Sequence, residues 1–302
     1  MKMEKFADEV LREVKKKAGG AFNVRMAKAV KNNGVKLAGI SVSDPGINVG
    51  PCIYLNSYYE EYIDGKVDIS ETAENVYRQL IGHMDDFRGI NLEGFCRWET
   101  VRNNIYAKLV NAEMNKELLA DVPYRQFLDL AVVYYVRLEG GSGDGGLSSI
   151  LIHNSHMGMW QEEERSLYRE SIKNMRMDGG ASFEDMGTVV RSMLAGEMGL
   201  AENVPSPGGM YVLTNRHKLF GAAELLDGDT LKEIGDRLGG DFIVLPSSVH
   251  ETIIIPADSA PPSTVLAAMV REINATQVGI EERLSDHAYL YERDKGTLKI
   301  AA

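Results

Sequence analysis

Apolar positions along this chain recur with two different periods, and the places where one period holds mark its elements. Phe6, Val10, Leu11 and Val14 fall on one helical face of an otherwise charged N-terminal segment that runs into Gly19-Gly20, which predicts an amphipathic helix docked on a partner element. Asn23–Lys31 and Val35–Ser43 read as strands on either side of Asn33-Gly34, the dipeptide suited to a hairpin turn whose two central residues need positive φ. Cys52–Leu55 is short and apolar, and Ser57–Ile63 and Ser70–Met84 read as two helical pieces broken at Asp64-Gly65.

Farther along, Val101–Val110 fits helix and strand alike, Met114–Leu119 reads as a short helix ending before Pro123, and Phe127–Leu138 is a Val- and Tyr-rich run with the character of a central strand. A glycine loop, Gly140–Gly146, leads into the strand-like Leu147–His153, and Gln161–Met175 reads as a helix. Gly179–Pro207 carries Gly, Ser and Pro around a helix over Phe183–Met198 and reads as a connector.

Met210–Pro256 is the most legible stretch. Met210–Thr214 and Phe220–Leu226 predict a hairpin, Asp229 or Thr230 can cap a helix carrying Leu231, Ile234 and Leu238, and Gly239-Gly240 supplies its left-handed end. Phe242–Leu245 and Thr252–Ile255 predict a second hairpin around Pro246-Ser247-Ser248. Past Ala260-Pro261-Pro262, a helix with Val265, Met269, Val270 and Ile273 inward is expected, and His287–Ile300 ends in strand-like pieces. The succession predicts an α+β fold, with antiparallel sheet built from about four β-hairpin-plus-helix units and helices packed on the sheet. Its expected division is 1–123 and 124–302, or one continuous domain.

Composition narrows the class. At 302 residues with 44% hydrophobic and 25% charged content, the chain can bury a large core. No apolar run approaches the roughly 18 to 20 residues that cross a bilayer, and the N-terminus lacks a signal-peptide core, so a cytoplasmic protein with no membrane partner is expected. Cys52 and Cys96 are too few for a disulfide framework. A net charge of −11 argues against direct nucleic-acid binding. An acidic nucleic-acid mimic is one alternative, although the carboxylates are interleaved with Lys and Arg.

Candidate chemistry is sparse. Gly141-Ser142-Gly143-Asp144-Gly145-Gly146 matches G-x-G-x-x-G, but a strand rather than a helix is expected to follow, and no kinase sequence accompanies it. Asp227 and Asp229 imitate the start of a calcium loop without its remaining ligands. The catalytic candidates are His250, Glu251, His153 and His156, imidazoles and a carboxylate at strand ends that could converge into an acid–base pair or a metal site. Ser247 and Ser248 lie close to His250 but lack the G-x-S-x-G setting of a nucleophile. With no H-E-x-x-H spacing and turn residues flanking each imidazole, neither a cofactor nor a metal is expected.

KNNGVKLAGI (Lys31–Ile40), IYLNSYYEEY (Ile53–Tyr62), YRQFLDLAVVYYV (Tyr124–Val136), MYVLTN (Met210–Asn215), LPSSVHETIIIP (Leu245–Pro256) and the stretch from Met269 to Arg293 carry a resemblance. Through them the chain resembles a domain-of-unknown-function family, number 5688, of anaerobic Firmicutes. The resemblance implies an accessory-genome protein, often carried near mobile elements, and brings no catalytic residues. The reading is a non-enzymatic binding or regulatory protein with a protein partner or small ligand, the alternatives being a hydrolase or metal-dependent enzyme using His153, His156, His250 and Glu251, and the acidic mimic.

Overall fold

A computed structural model describes residues 1–45, 50–84, 92–138, 148–197, 209–246 and 248–301. The glycine loop Gly140–Gly146 and Ser247 lie outside the described residues. The architecture mixes helices with antiparallel sheets, three of them among the described residues, and the helices pack on the sheets. No helix among the described residues is long and apolar enough to cross a membrane. The chain folds as two compact units, Met1–Glu93 with Leu138–Ser148, and Gly94–Arg137 with Ser149–Ala302.

In the first unit, helix α1 (Met3–Ala18) buries Phe6, Val10 and Val14 and ends at Gly19 in the left-handed region, with Lys15, Lys16 and Lys17 in its last turn where the helix dipole favours cations. Strands β1 (Asn23–Val30) and β2 (Lys36–Ser43) pair antiparallel, and Asn33 and Gly34 both take the positive φ, 58° and 72°, that their hairpin turn demands.

 

Strand β3 (Cys52–Tyr54) joins the far edge of β2. Helices α2 (Asn56–Ile63) and α3 (Ile69–Gly82) then close over the sheet, α3 opening on an Asp68 side chain that accepts from the Glu71 amide. Their common core is Phe6, Val10, Val14, Ile40, Val42, Leu55, Val76 and Leu80.

The second unit opens with the segment that fits helix and strand alike, and it is both in turn. A single helical turn, Trp98–Val101, and a 3-10 turn, Arg102–Asn104, precede strand β4 (Ile105–Asn111). Strand β5 (Arg125–Phe127) and strand β6 (Leu130–Leu138) follow, and β6 is central, paired with β4, β5 and β7 (Ser148–Leu151). Leu130 through Val136 are all buried, as the unbroken apolar run requires. Helices α4 (Asn154–Trp160) and α5 (Glu164–Met177) come next. Gln161 takes φ 56° and ends α4, so the expected single helix from Gln161 begins instead at Glu164.

The largest sheet runs β13-β12-β10-β11-β9-β8. It contains β8 (Ala181–Asp185), β9 (Tyr211–Asn215), β10 (Phe242–Leu245), β11 (Thr252–Pro256), β12 (Tyr289–Glu292) and β13 (Thr297–Ile300), with α6 (Met186–Glu197), α7 (Gly228–Leu238) and α8 (Ser263–Thr276) between them. The β10–β11 hairpin forms as expected, Leu245 opposite Ile253. Three expectations fail here. Phe183 belongs to strand β8 rather than to a helix, because Ala181–Asp185 finds a partner in β9 and the helix starts only at Met186. Phe220–Leu226 is not a strand: Phe220 sits at φ 55°, and Gly221–Leu226 winds into a buried 3-10 turn, while β9 pairs with β8 and β11. In α8 the inward positions are Leu266 and Val270, and Val265 is 45% exposed.

Candidate functional site

The four catalytic candidates take up local duties. His153 and His156 are brought together as the N-cap and third residue of α4, the His156 Nδ1 accepting from the His153 backbone N–H at 3.1 Å. His153 Nδ1 lies 2.7 Å from Asp121 Oδ2, and His156 sits between Phe95 and Trp160, ring centroids 5.0 and 5.7 Å away. Burial, then the nearby His153, holds the His156 pKa below the ordinary imidazole value. His250 stacks on Phe220 and its Nδ1 accepts from the Phe220 N–H, with Nε2 3.8 Å from Glu282; burial lowers its pKa as well. Glu251, half-buried at the start of β11, contributes only a weak opposing charge. Among the described residues no group of three or more His, Cys, Asp or Glu is placed to hold a metal.

A set of shifted ionisable groups lies elsewhere in the second unit, where α5 hands over to β8. The helix ends at Asp178, and Gly179 and Gly180, at φ 103° and 65°, let the chain reverse into the strand while the Gly180 N–H bonds Met175 O at 3.0 Å. Arg176, in the last turn, grips Asp227 through Nε and Nη2 at 2.8 and 2.5 Å, and reaches Asp229 at 2.7 Å. Asp227 is at the same time the cap of α7, accepting from the Asp229 N–H at 3.0 Å; the expected caps, Asp229 and Thr230, are instead the second and third residues of the helix. Burial pushes the Asp227 carboxyl up, but the Arg176 bond, the amide bond and the Arg176 charge outweigh it and hold the pKa below the ordinary range.

Asp178 anchors a second knot. Arg137 Nη1 donates to it at 2.6 Å and also bonds the Tyr106 hydroxyl, with its guanidinium 4.1 Å above the Tyr106 ring centroid. His217 Nε2 lies 2.9 Å from Asp178 and 3.1 Å from Arg216 Nε, so a neutral imidazole can donate to the first or accept from the second, not both. Burial raises the Asp178 pKa and is overcome by the Arg137 bond and charge, with His217 and Arg216 adding to the lowering.

Glu224 carries the opposite shift. It sits on the 3-10 turn, 2% exposed, with no hydrogen bond to its carboxyl among the described residues. Burial first, then the charges of Asp227 and Asp178, push its pKa up to about 7. Beside Arg176 and Asp227 opens a cleft of about 540 Å³ lined also by Gly179 to Ala181, Phe183, Asp229 and the α7 side chains Thr230, Glu233, Ile234 and Arg237. That size falls in the roughly 300–1,000 Å³ range of small-molecule sites. Sequence reasoning noted Asp227 and Asp229 only as an incomplete calcium loop and passed over Arg176, Asp178, Glu224, Glu233 and Arg237. No local signal marks them, since their partners lie 41 and 51 residues away for Asp178 and Asp227.

A third polar cluster centres on Asp129, in the turn between β5 and β6 just after Leu128 at φ 55°. Ser285 Oγ and the Tyr289 hydroxyl each donate to its carboxylate at 2.6 Å, and His287 Nδ1 lies 3.2 Å away. Ser285 spends its proton on Asp129 and is 2% exposed, so it is no nucleophile.

Fold and cleft together define an α+β protein of antiparallel sheets with a charged surface cleft on its second unit. The chain belongs to a family of unknown function (DUF5688), whose model matches residues 3–293. No curated protein and no solved structure matches it.

Proposed function

We propose that this is a non-enzymatic binding protein that takes a small polar ligand in the cleft beside Arg176 and Arg237. The observation that carries the reading is the coincidence of an open cleft with the ion-paired and shifted groups Arg176 and Asp227 in its wall. Both charge signs line the cleft, which favours a small ligand over the acidic-mimic alternative. A regulatory role in the cytoplasm, within the accessory genome, belongs to the same proposal and draws its support from the resemblance and the paucity of cysteines.

The test is a thermal-shift screen of the full chain against amino acids, sugars, nucleotides and organic acids. At a concentration near 100 times Kd a ligand stabilises by about 2.7 kcal/mol, an easily read shift. At least one class is expected to raise the melting temperature, and Arg237→Gln to abolish the rise. A ligand whose effect survives Arg237→Gln binds elsewhere and removes the cleft from the reading.

One observation favours a hydrolase reading on residues other than His153, His156, His250 and Glu251. Asp129 holds His287 Nδ1, leaving Nε2 of a half-exposed imidazole as a proton acceptor. Hydrolysis of p-nitrophenyl esters that is lost in His287→Ala and kept in His153→Ala and His250→Ala would carry it; equal loss in all three would end it.

A further inference from the structure

We propose that the ligand of the cleft is a small zwitterion of the α-amino acid class, its carboxylate received by Arg237 and its ammonium by Glu233; this rests on the cleft being a ligand site. Glu233 and Arg237 stand four apart on α7, a spacing that sets their Cβ atoms roughly 5–6 Å apart on one face and ordinarily favours an ion pair. They make none. Arg237 is drawn sideways onto Phe183, its guanidinium 4.9 Å from the ring centroid and its Nη1 donating to Phe183 O at 3.2 Å. Tyr211 stacks behind Phe183 at 4.8 Å and backs that position. The Nε and Nη2 edge of Arg237 and the Glu233 carboxylate therefore line the cleft without partners among the described residues.

The other charges are already committed. Arg176 neutralises Asp227 and Asp229, and Asp227 takes the Asp229 amide, so the start of α7 offers no seat to an anion. A ligand bearing only negative charge would meet Glu233, and one bearing only positive charge would meet Arg237. A ligand with both signs satisfies both. Ile234 and Ala181 supply apolar wall for a side chain.

Calorimetric titration of the full chain with free amino acids, their N-acetyl derivatives and their decarboxylated amines tests the assignment. Free amino acids are expected to bind, and removing either charge to weaken binding at least about tenfold, the effect of losing one charged hydrogen bond. Glu233→Gln, an exposed and structurally mild change, should abolish the penalty for N-acetylation, and Arg237→Gln the penalty for decarboxylation. N-acetyl derivatives binding as well as free amino acids, or Glu233→Gln leaving both affinities unchanged, would overturn the zwitterion. If the titrations are silent while a sugar or nucleotide shows an Arg237-dependent thermal shift, the ligand class falls and the cleft stands; if no compound gives that shift, both fall.

Discussion

Glu224 owes its shifted pKa to the company it keeps. In the unfolded chain it titrates near its ordinary 4.5, and in the fold near about 7, so the folded state holds the proton more tightly. The stability it contributes is complete below the unfolded value and is lost as pH rises through the folded one. A difference of that size corresponds to roughly 3 kcal/mol. Glu224→Gln should therefore match the wild type in urea denaturation at pH 4.5 and exceed it at pH 8; parallel profiles would show that the carboxyl titrates without penalty. Gly221, three residues earlier, has the tightest surroundings on the same turn. A Cβ there would lie 2.2 Å from Thr214 Oγ1 and 2.6 Å from His250 O. Gly221→Ala is expected to cost about 2 kcal/mol or more in urea denaturation, since two of the three neighbours it would strike are backbone atoms. Neither residue announces itself in GAAELLD: an acid among apolar positions reads equally well as the outward residue of a strand.

At the scale of the element, α7 is held at its start by one side chain with two duties. Asp227 caps the helix and anchors Arg176. Asp227→Asn keeps an acceptor for the Asp229 amide and weakens the ion pair, whereas Asp227→Ala removes both. The alanine variant should lose about 1–2 kcal/mol from the cap alone, and more than the asparagine variant, by the shift in urea midpoint. Equal losses in the two variants would assign the whole effect to the ion pair. Elements whose signals are local were legible: the Asn33-Gly34 turn, the α1 face, the β10–β11 hairpin and the Gly239 end of α7 all depend on neighbours within a few positions. Those settled by a distant partner were not. Ala181–Asp185 is a strand because β9 is beside it, and Phe220–Leu226 is a turn because β9 already has β8 and β11 on its two edges.

At the scale of the whole molecule, stability is invested in separate cores. Both tryptophans, Trp98 and Trp160, belong to the second unit, so their fluorescence reports that unit. The first unit is centred on Leu80, Val76, Ile40 and Phe6, all fully buried. Leu80→Ala should cost about 2–5 kcal/mol, followed by circular dichroism, which sees the helices of the first unit directly. A loss below about 1 kcal/mol would mean that the site collapses around the smaller side chain.

The amino-acid sequence by itself determined the α+β class, the β1–β2 and β10–β11 hairpins and the ends of several helices, because periodicity, turn dipeptides and caps act over one to four residues. Only the tertiary structure decided the cleft and its electrostatics. Arg137 meets Asp178 across 41 positions and Arg176 meets Asp227 across 51, and Glu224 gains its raised pKa only when burial strips its water and sets two carboxylates beside it. A charge becomes a site through what lies around it in space, and along this chain those neighbours are brought together by folding alone.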